Sequence, residues 1–68
     1  MTIEFKEDED IADYYIGYIK NAPTYIVYKG AVDKKWNAIY FVSRRRAIDH
    51  SFDNKEDIFK FLIDRFNS

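Results

Sequence analysis

The sequence has no cysteine, one proline, one histidine and only two glycines. Without cysteine there is no disulfide staple, and thiolate-held zinc and iron–sulfur centres are excluded with it. Gly17 and Gly30 stand alone, so no glycine-rich loop is available to cradle a phosphate. One histidine and scattered carboxylates do not make a metal-ligand set. The run Glu7-Asp8-Glu9-Asp10 lacks the glycine and the spacing of a calcium loop and reads as the solvated start of a helix. No apolar run approaches the roughly 18 residues of a membrane span. The opening residues MTIEFKEDED lack the basic start and apolar stretch of a secretory leader. A small, soluble, cytoplasmic domain without cofactor or metal is therefore expected.

What the chain does have is aromatic side chains: six Tyr, six Phe and Trp36 in 68 residues. Disordered chains are poor in such residues. A chain this short buries only about 60% of its unfolded surface, so it needs dense packing or a partner. With no linker and no repeat in sight, residues 1–68 are read as a single compact domain. Its residues 1–7 form either a short edge strand, from Thr2 to Lys6, or a mobile terminus.

The formal net charge is −1, but its distribution is uneven. Residues 1–13 hold six acids against Lys6, and residues 14–48 hold seven bases against Asp33. Residues 49–68 hold five acids and three bases. Acids gathered at helix starts and bases decorating a sheet account for this pattern. So does a dipolar surface with one basic patch facing an anionic partner.

Ile11, Tyr15, Tyr18, Ile19 and Ala22 recur at spacings of three and four, which predicts a helix over residues 8–21. Acids fill its first turn, Lys20 its last, Asn21 suits a left-handed cap and Pro23 blocks continuation. Gly17 would sit mid-helix, where a backbone or a ring approaches closely. Residues 24–32 and 36–44 are β-branched and aromatic and read as a hairpin joined at Asp33-Lys34-Lys35. On the second strand Trp36, Ala38, Tyr40 and Val42 point one way, and Asn37, Ile39, Phe41 and Ser43 the other. Both faces are largely apolar, so one should meet the helices and the other needs a further element, a partner or partial exposure. Residues 45–52 could add a third short strand. Residues 54–67 predict a helix capped by Asp53 with Glu56 at the third position, burying Ile58, Phe59, Leu62, Ile63 and Phe66.

The expected fold class is α+β. An antiparallel two- to three-stranded sheet carries an N-terminal and a C-terminal helix on one face, in the order α-β-β-(β)-α. Its core would include Ile11, Tyr15, Ile19, Ile26, Tyr28, Ile39, Phe41, Ile58, Leu62 and Phe66.

Enzyme chemistry has little to stand on. Asp49-His50-Ser51 holds the residue types of a hydrolase triad, but consecutive strand residues alternate faces and cannot converge. The other serines are Ser43 and Ser68. A cleft for a buried small-molecule substrate would be difficult to fit in 68 residues. No enzyme activity is expected.

Nucleic-acid binding is a stronger reading. Lys34 and Lys35 sit at the hairpin tip, and Arg44, Arg45 and Arg46 end its other side. Tyr25, Tyr28, Trp36 and Tyr40 interleave with them, and single strands are held by stacked rings and flanking cations. The order α-β-β-β-α resembles the double-stranded RNA-binding domain in outline. That family starts its second helix with bases, whereas Asp53-Asn54-Lys55-Glu56-Asp57 is acidic, and the chain is not assigned to it.

The leading expectation is a non-enzymatic protein that binds a protein partner, or itself as a homodimer, stoichiometrically. Phage or mobile-element inhibitors of a host machine are one class of this kind. Tyr, Trp and Arg are the residues that supply interface energy. The partner-binding set is therefore Tyr25, Tyr28, Trp36, Tyr40, Lys34, Lys35, Arg44, Arg45 and Arg46.

Overall fold

The computed structural model describes residues 3–67. The place of Thr2 in a first strand, and Ser68 as a further serine, lie outside them. Four strands, β1 (Ile3–Glu7), β2 (Tyr14–Ile19), β3 (Ala22–Lys29) and β4 (Trp36–Tyr40), precede one helix, α1 (Lys55–Asn67). The strands form one antiparallel sheet in the order β1-β2-β3-β4. Each strand thus pairs with its neighbours in sequence.

The N-terminal helix expected over residues 8–21 does not exist. Those residues form the β1–β2 loop, β2 and a tight turn. In the loop, the Asp8 carboxylate accepts the Asp10 and Ile11 N–H groups at 2.8 and 3.1 Å, so the acidic run closes a turn instead of starting a helix. Tyr14-Tyr15-Ile16-Gly17-Tyr18-Ile19 is aromatic and β-branched, which suits a pleated surface better than a helix. Lys20 and Asn21 both have positive φ, 52° and 65°, and join β2 to β3 as a two-residue hairpin turn. Asn21 is left-handed as expected, but within a hairpin. Pro23 falls at an exposed position in β3, and a bulge between Gly17 and Tyr18 absorbs the irregularity.

Consequently the two- to three-stranded sheet with two helices is replaced by a four-stranded sheet with one. The order β-β-β-β-α also removes the outline likeness to the double-stranded RNA-binding domain. Residues 45–52 do not form a regular third strand of the kind expected. They touch the outer edge of β4 at two isolated bridges, Ile39 with Arg46 and Trp36 with Phe52.

The C-terminal helix forms where its stripe places it, and it packs on one face of the sheet, meeting β1 and β4. Asn54, one residue after the expected cap, accepts the first helical bond from the Ile58 N–H. The register puts Ile3, Phe5, Tyr15, Gly17, Ile19, Tyr25, Val27, Trp36, Ala38 and Tyr40 on the helix side. Ile58 and Leu62 close on Val27, Trp36 and Ala38, with Ala47 and Ile48 completing the cluster. Gly17 does admit a ring: a Cβ there would lie 3.1 Å from Phe5 Cε1. Phe5 in turn stacks on Phe59 at 4.3 Å, and Phe59 meets Tyr15 edge-on at 5.1 Å.

The expected core is only partly right. Ile26, Ile58 and Leu62 are buried, but Ile11 is 50% exposed in the β1–β2 loop. Tyr28, Ile39 and Phe41 are half-buried, with Tyr28 and Ile39 on the face away from the helix.

Candidate interaction surface

Strand alternation gives the sheet a second face, and no helix or strand among the described residues packs on it. Its middle row is read directly from the register. Lys6 lies opposite Ile16, Ile16 opposite Ile26, Ile26 opposite Ile39, and Ile39 opposite Arg46. Three isoleucines thus form a rib across the sheet with a base at each end. Ile26 is 1% exposed, and Ile16 and Ile39 are half-buried. On one side runs Tyr14–Tyr28–Asn37, and on the other Glu4–Tyr18–Pro23. The Lys6 ammonium sits over the Tyr18 ring at 5.2 Å. Ser51 donates to the Asn37 side-chain oxygen, which fixes the far margin of this face.

The residues chosen from sequence divide among separate places. Tyr28 lies on the bare face. Trp36 points the opposite way, is 5% exposed, and packs beside Tyr15 with ring centroids 6.0 Å apart. It is a core residue. Tyr25 and Tyr40 stack at 5.7 Å on the helix side, at the end of the sheet where Arg44 and Arg45 also lie. The Arg44 guanidinium covers the Phe41 ring at 5.6 Å. Arg46 bends back, its Nε donating to the Ile48 carbonyl at 2.7 Å.

Lys34 and Lys35 are at the other end of β4, in the β3–β4 turn, so the bases do not form one patch. Lys34 has a φ of 59°, and Lys35 bonds Asp53 at 2.5 Å, just before α1. Beside them, Ala12, Asp13, Lys29, Gly30, Ala31 and Lys34 line a shallow cleft. The acidic loop thus meets the basic turn and offsets its field.

The helix expected over residues 8–21 keeps Tyr14, Ile16 and Tyr18 out of the partner-binding set expected from sequence. Their signal was the alternation Tyr-Ile-Tyr at every second position. A second aromatic group lies on the helix side. His50 contacts Phe52 at 4.7 Å and Phe61 at 5.2 Å, beside an open groove lined by Phe52, Asp57, Lys60, Phe61 and Asp64. His50 is exposed and Ser51 is engaged with Asn37, so Asp49-His50-Ser51 is not assembled as a triad.

Three groups have shifted protonation equilibria. Burial pushes the Tyr25 hydroxyl above the usual tyrosine range; Tyr40 adds to this and Arg65 opposes it. The bond to Asp53 raises Lys35, and the bond to the Tyr15 hydroxyl, at 3.1 Å, raises Lys55. All three shifts are upward. Each contribution to stability is therefore full below the unfolded-state pKa, about 10 for Tyr and 10.4 for Lys. It is lost as pH rises through the folded-state value. The urea midpoint should fall as pH is raised above about 10, and Tyr25→Phe should remove part of that fall. Urea titrations at stepped alkaline pH test this, and a midpoint flat to pH 11 would refute it.

Among the described residues no group of three His, Asp or Glu is placed to hold a metal ion, and no helix is long and apolar enough to cross a membrane. No family model, curated protein or solved structure matches this chain.

Proposed function

We propose that this protein is a small, non-enzymatic, cytoplasmic binding protein that engages a protein partner stoichiometrically through the bare face of its sheet. The observation that carries this reading is one-sided packing. α1 covers one face, and the other presents Tyr14, Tyr18 and Tyr28 around the Ile16–Ile26–Ile39 rib. Tyrosine is rigid and amphipathic, so it can lie half-exposed in the free protein and supply contact area when water is excluded. Lys6 and Arg46 at the ends of the rib would form the polar rim. Inhibition of a larger machine is one use of such a stoichiometric binder.

Affinity capture from the native host, followed by mass measurement of the complex, tests the proposal. Tyr28→Ala and Tyr18→Ala should each cost about 2 kcal/mol or more of binding and leave the fold intact by circular dichroism. Folded variants with unchanged affinity for the captured protein would sink it.

A second reading, nucleic-acid binding, is favoured by the Tyr25–Tyr40 stack beside Arg44 and Arg45. It requires affinity that falls steeply with salt and is lost when Arg44 and Arg45 are replaced. The acidic loop next to Lys34 and the pairing of Lys35 with Asp53 weigh against it.

A further inference from the structure

The two edges of the sheet are unlike. On β4, Trp36, Ala38 and Tyr40 each have outward backbone groups in use. Trp36 exchanges two bonds with Phe52 at 2.7 and 3.0 Å, Ala38 accepts from Ala47 at 2.9 Å, and Tyr40 donates to Arg45 at 2.8 Å. On β1, no other strand of the described residues pairs with the outer side. An antiparallel ladder alternates bonded and non-bonded pairs, so one bond fixes which residues face outward. The Asp8 N–H reaches the Tyr14 carbonyl at 2.9 Å. Lys6 and Glu4, in step with Asp8, therefore turn their backbone groups toward β2. Ile3, Phe5 and Glu7 turn theirs outward. The Lys29 N–H bond to the Asp13 carbonyl at 3.1 Å gives the same phase one strand further in.

We propose that a second copy of this chain occupies that edge, with β1 pairing antiparallel to β1 about a two-fold axis at Phe5. The sequence Ile3-Glu4-Phe5-Lys6-Glu7 selects the register. Outward residues must meet outward residues, and the two-fold registers that bond at least two residues of β1 in this way are centred on Glu4, Phe5 or Lys6. Centring on Glu4 sets that carboxylate against Glu4 of the second copy. Centring on Lys6 does the same with two ammonium groups. Centring on Phe5 places Glu4 opposite Lys6 of the second copy, and Lys6 opposite its Glu4. Both pairs fall at non-bonded positions, where side chains come closest.

In that register Phe5 exchanges both backbone bonds with its own copy, and Ile3 does so with Glu7 of the second copy. The result is a continuous eight-stranded sheet. Like charges directly opposite destabilise pairing, so the same residues that favour this register disfavour the other two. The inference does not depend on the proposed function, since its readout is the mass of the protein alone.

Sedimentation equilibrium of the full chain from micromolar to about millimolar concentration should show a reversible monomer–dimer equilibrium. Glu4→Lys and Lys6→Glu should each weaken it by about tenfold or more, because both symmetry-related pairs become repulsive. An equimolar mixture of these two variants should dimerise again, as should the doubly substituted chain, because opposite charges then face each other. Circular dichroism checks that each variant is folded. If Lys6→Glu fails to fold, because Lys6 also rests on Tyr18, Glu4→Lys against its uncharged control Glu4→Gln gives the same reading. A monomer throughout, a dimer indifferent to the single reversals, or a mixture that stays monomeric would each overturn the proposal.

Discussion

Leu62→Ala should lower the unfolding free energy by about 2–5 kcal/mol, a large share of what holds a domain this small together. Leu62 is 1% exposed and lies one helical turn after Ile58. Together they bring α1 onto Val27 and Ala38, with Ala47 and Ile48 closing the sides. The small side chains on the sheet cannot expand into the space that truncation leaves, so the cavity cost adds to the lost burial. A domain of this size has a total stability of only about 3–10 kcal/mol, at typical values per residue. Urea unfolding followed by the fluorescence of Trp36 reads the change. Phe61→Ala is the comparison: Phe61 is half-buried at the edge of the stripe, and its loss should be smaller. Equal losses for the two would mean that α1 is not seated through Ile58 and Leu62.

The second large effect is expected at Trp36. Truncation to Ala should cost about 3–5 kcal/mol, and Trp36→Phe clearly less. The ring is 5% exposed, touches Tyr15, and sits where β4 exchanges its backbone bonds with Phe52. From sequence, Trp36 reads as a contact residue whose loss would spare the fold. The structure reverses that expectation. Partner binding that is lost on Trp36→Ala should be lost together with the cooperative unfolding transition, and Trp36→Phe should keep both. A folded Trp36→Ala variant of near-normal stability would show that the helix does not bury this ring.

How far the fold could be read from sequence depended on how much charge each segment carries. Lys55, Glu56, Asp57, Lys60 and Asp64 leave a single apolar stripe between them, so α1 has one reading. Residues 14–19 carry no charge. Tyr15, Tyr18 and Ile19 fit a helical period, and Tyr14, Ile16 and Tyr18 fit a strand equally well. Where almost every position is apolar, spacing decides nothing, and β-branched and aromatic content is the better guide.

Side-chain alternation in β4 was legible too: Trp36, Ala38 and Tyr40 do share a side. Which side is inner depends on where α1 lands, through contacts such as Phe59 on Phe5, and no local pattern encodes that. The binding residues expected from sequence share only their type, and the fold separates them. Tyr28 reaches the bare face, Trp36 the core, and the lysines and arginines opposite ends of one strand. The bare face itself is legible in part, since both sides of the hairpin are apolar. Its full width required β2.

The position of α1 after all four strands has a consequence for synthesis. The strands pair in the order in which they are made, so the meander can assemble hairpin by hairpin as the chain emerges. Val27, Trp36 and Ala38, however, lack the cover of Ile58 and Leu62 until residues 55–67 follow. For that interval the nascent sheet exposes apolar side chains on both sides, and it is at its most adhesive just before α1 arrives.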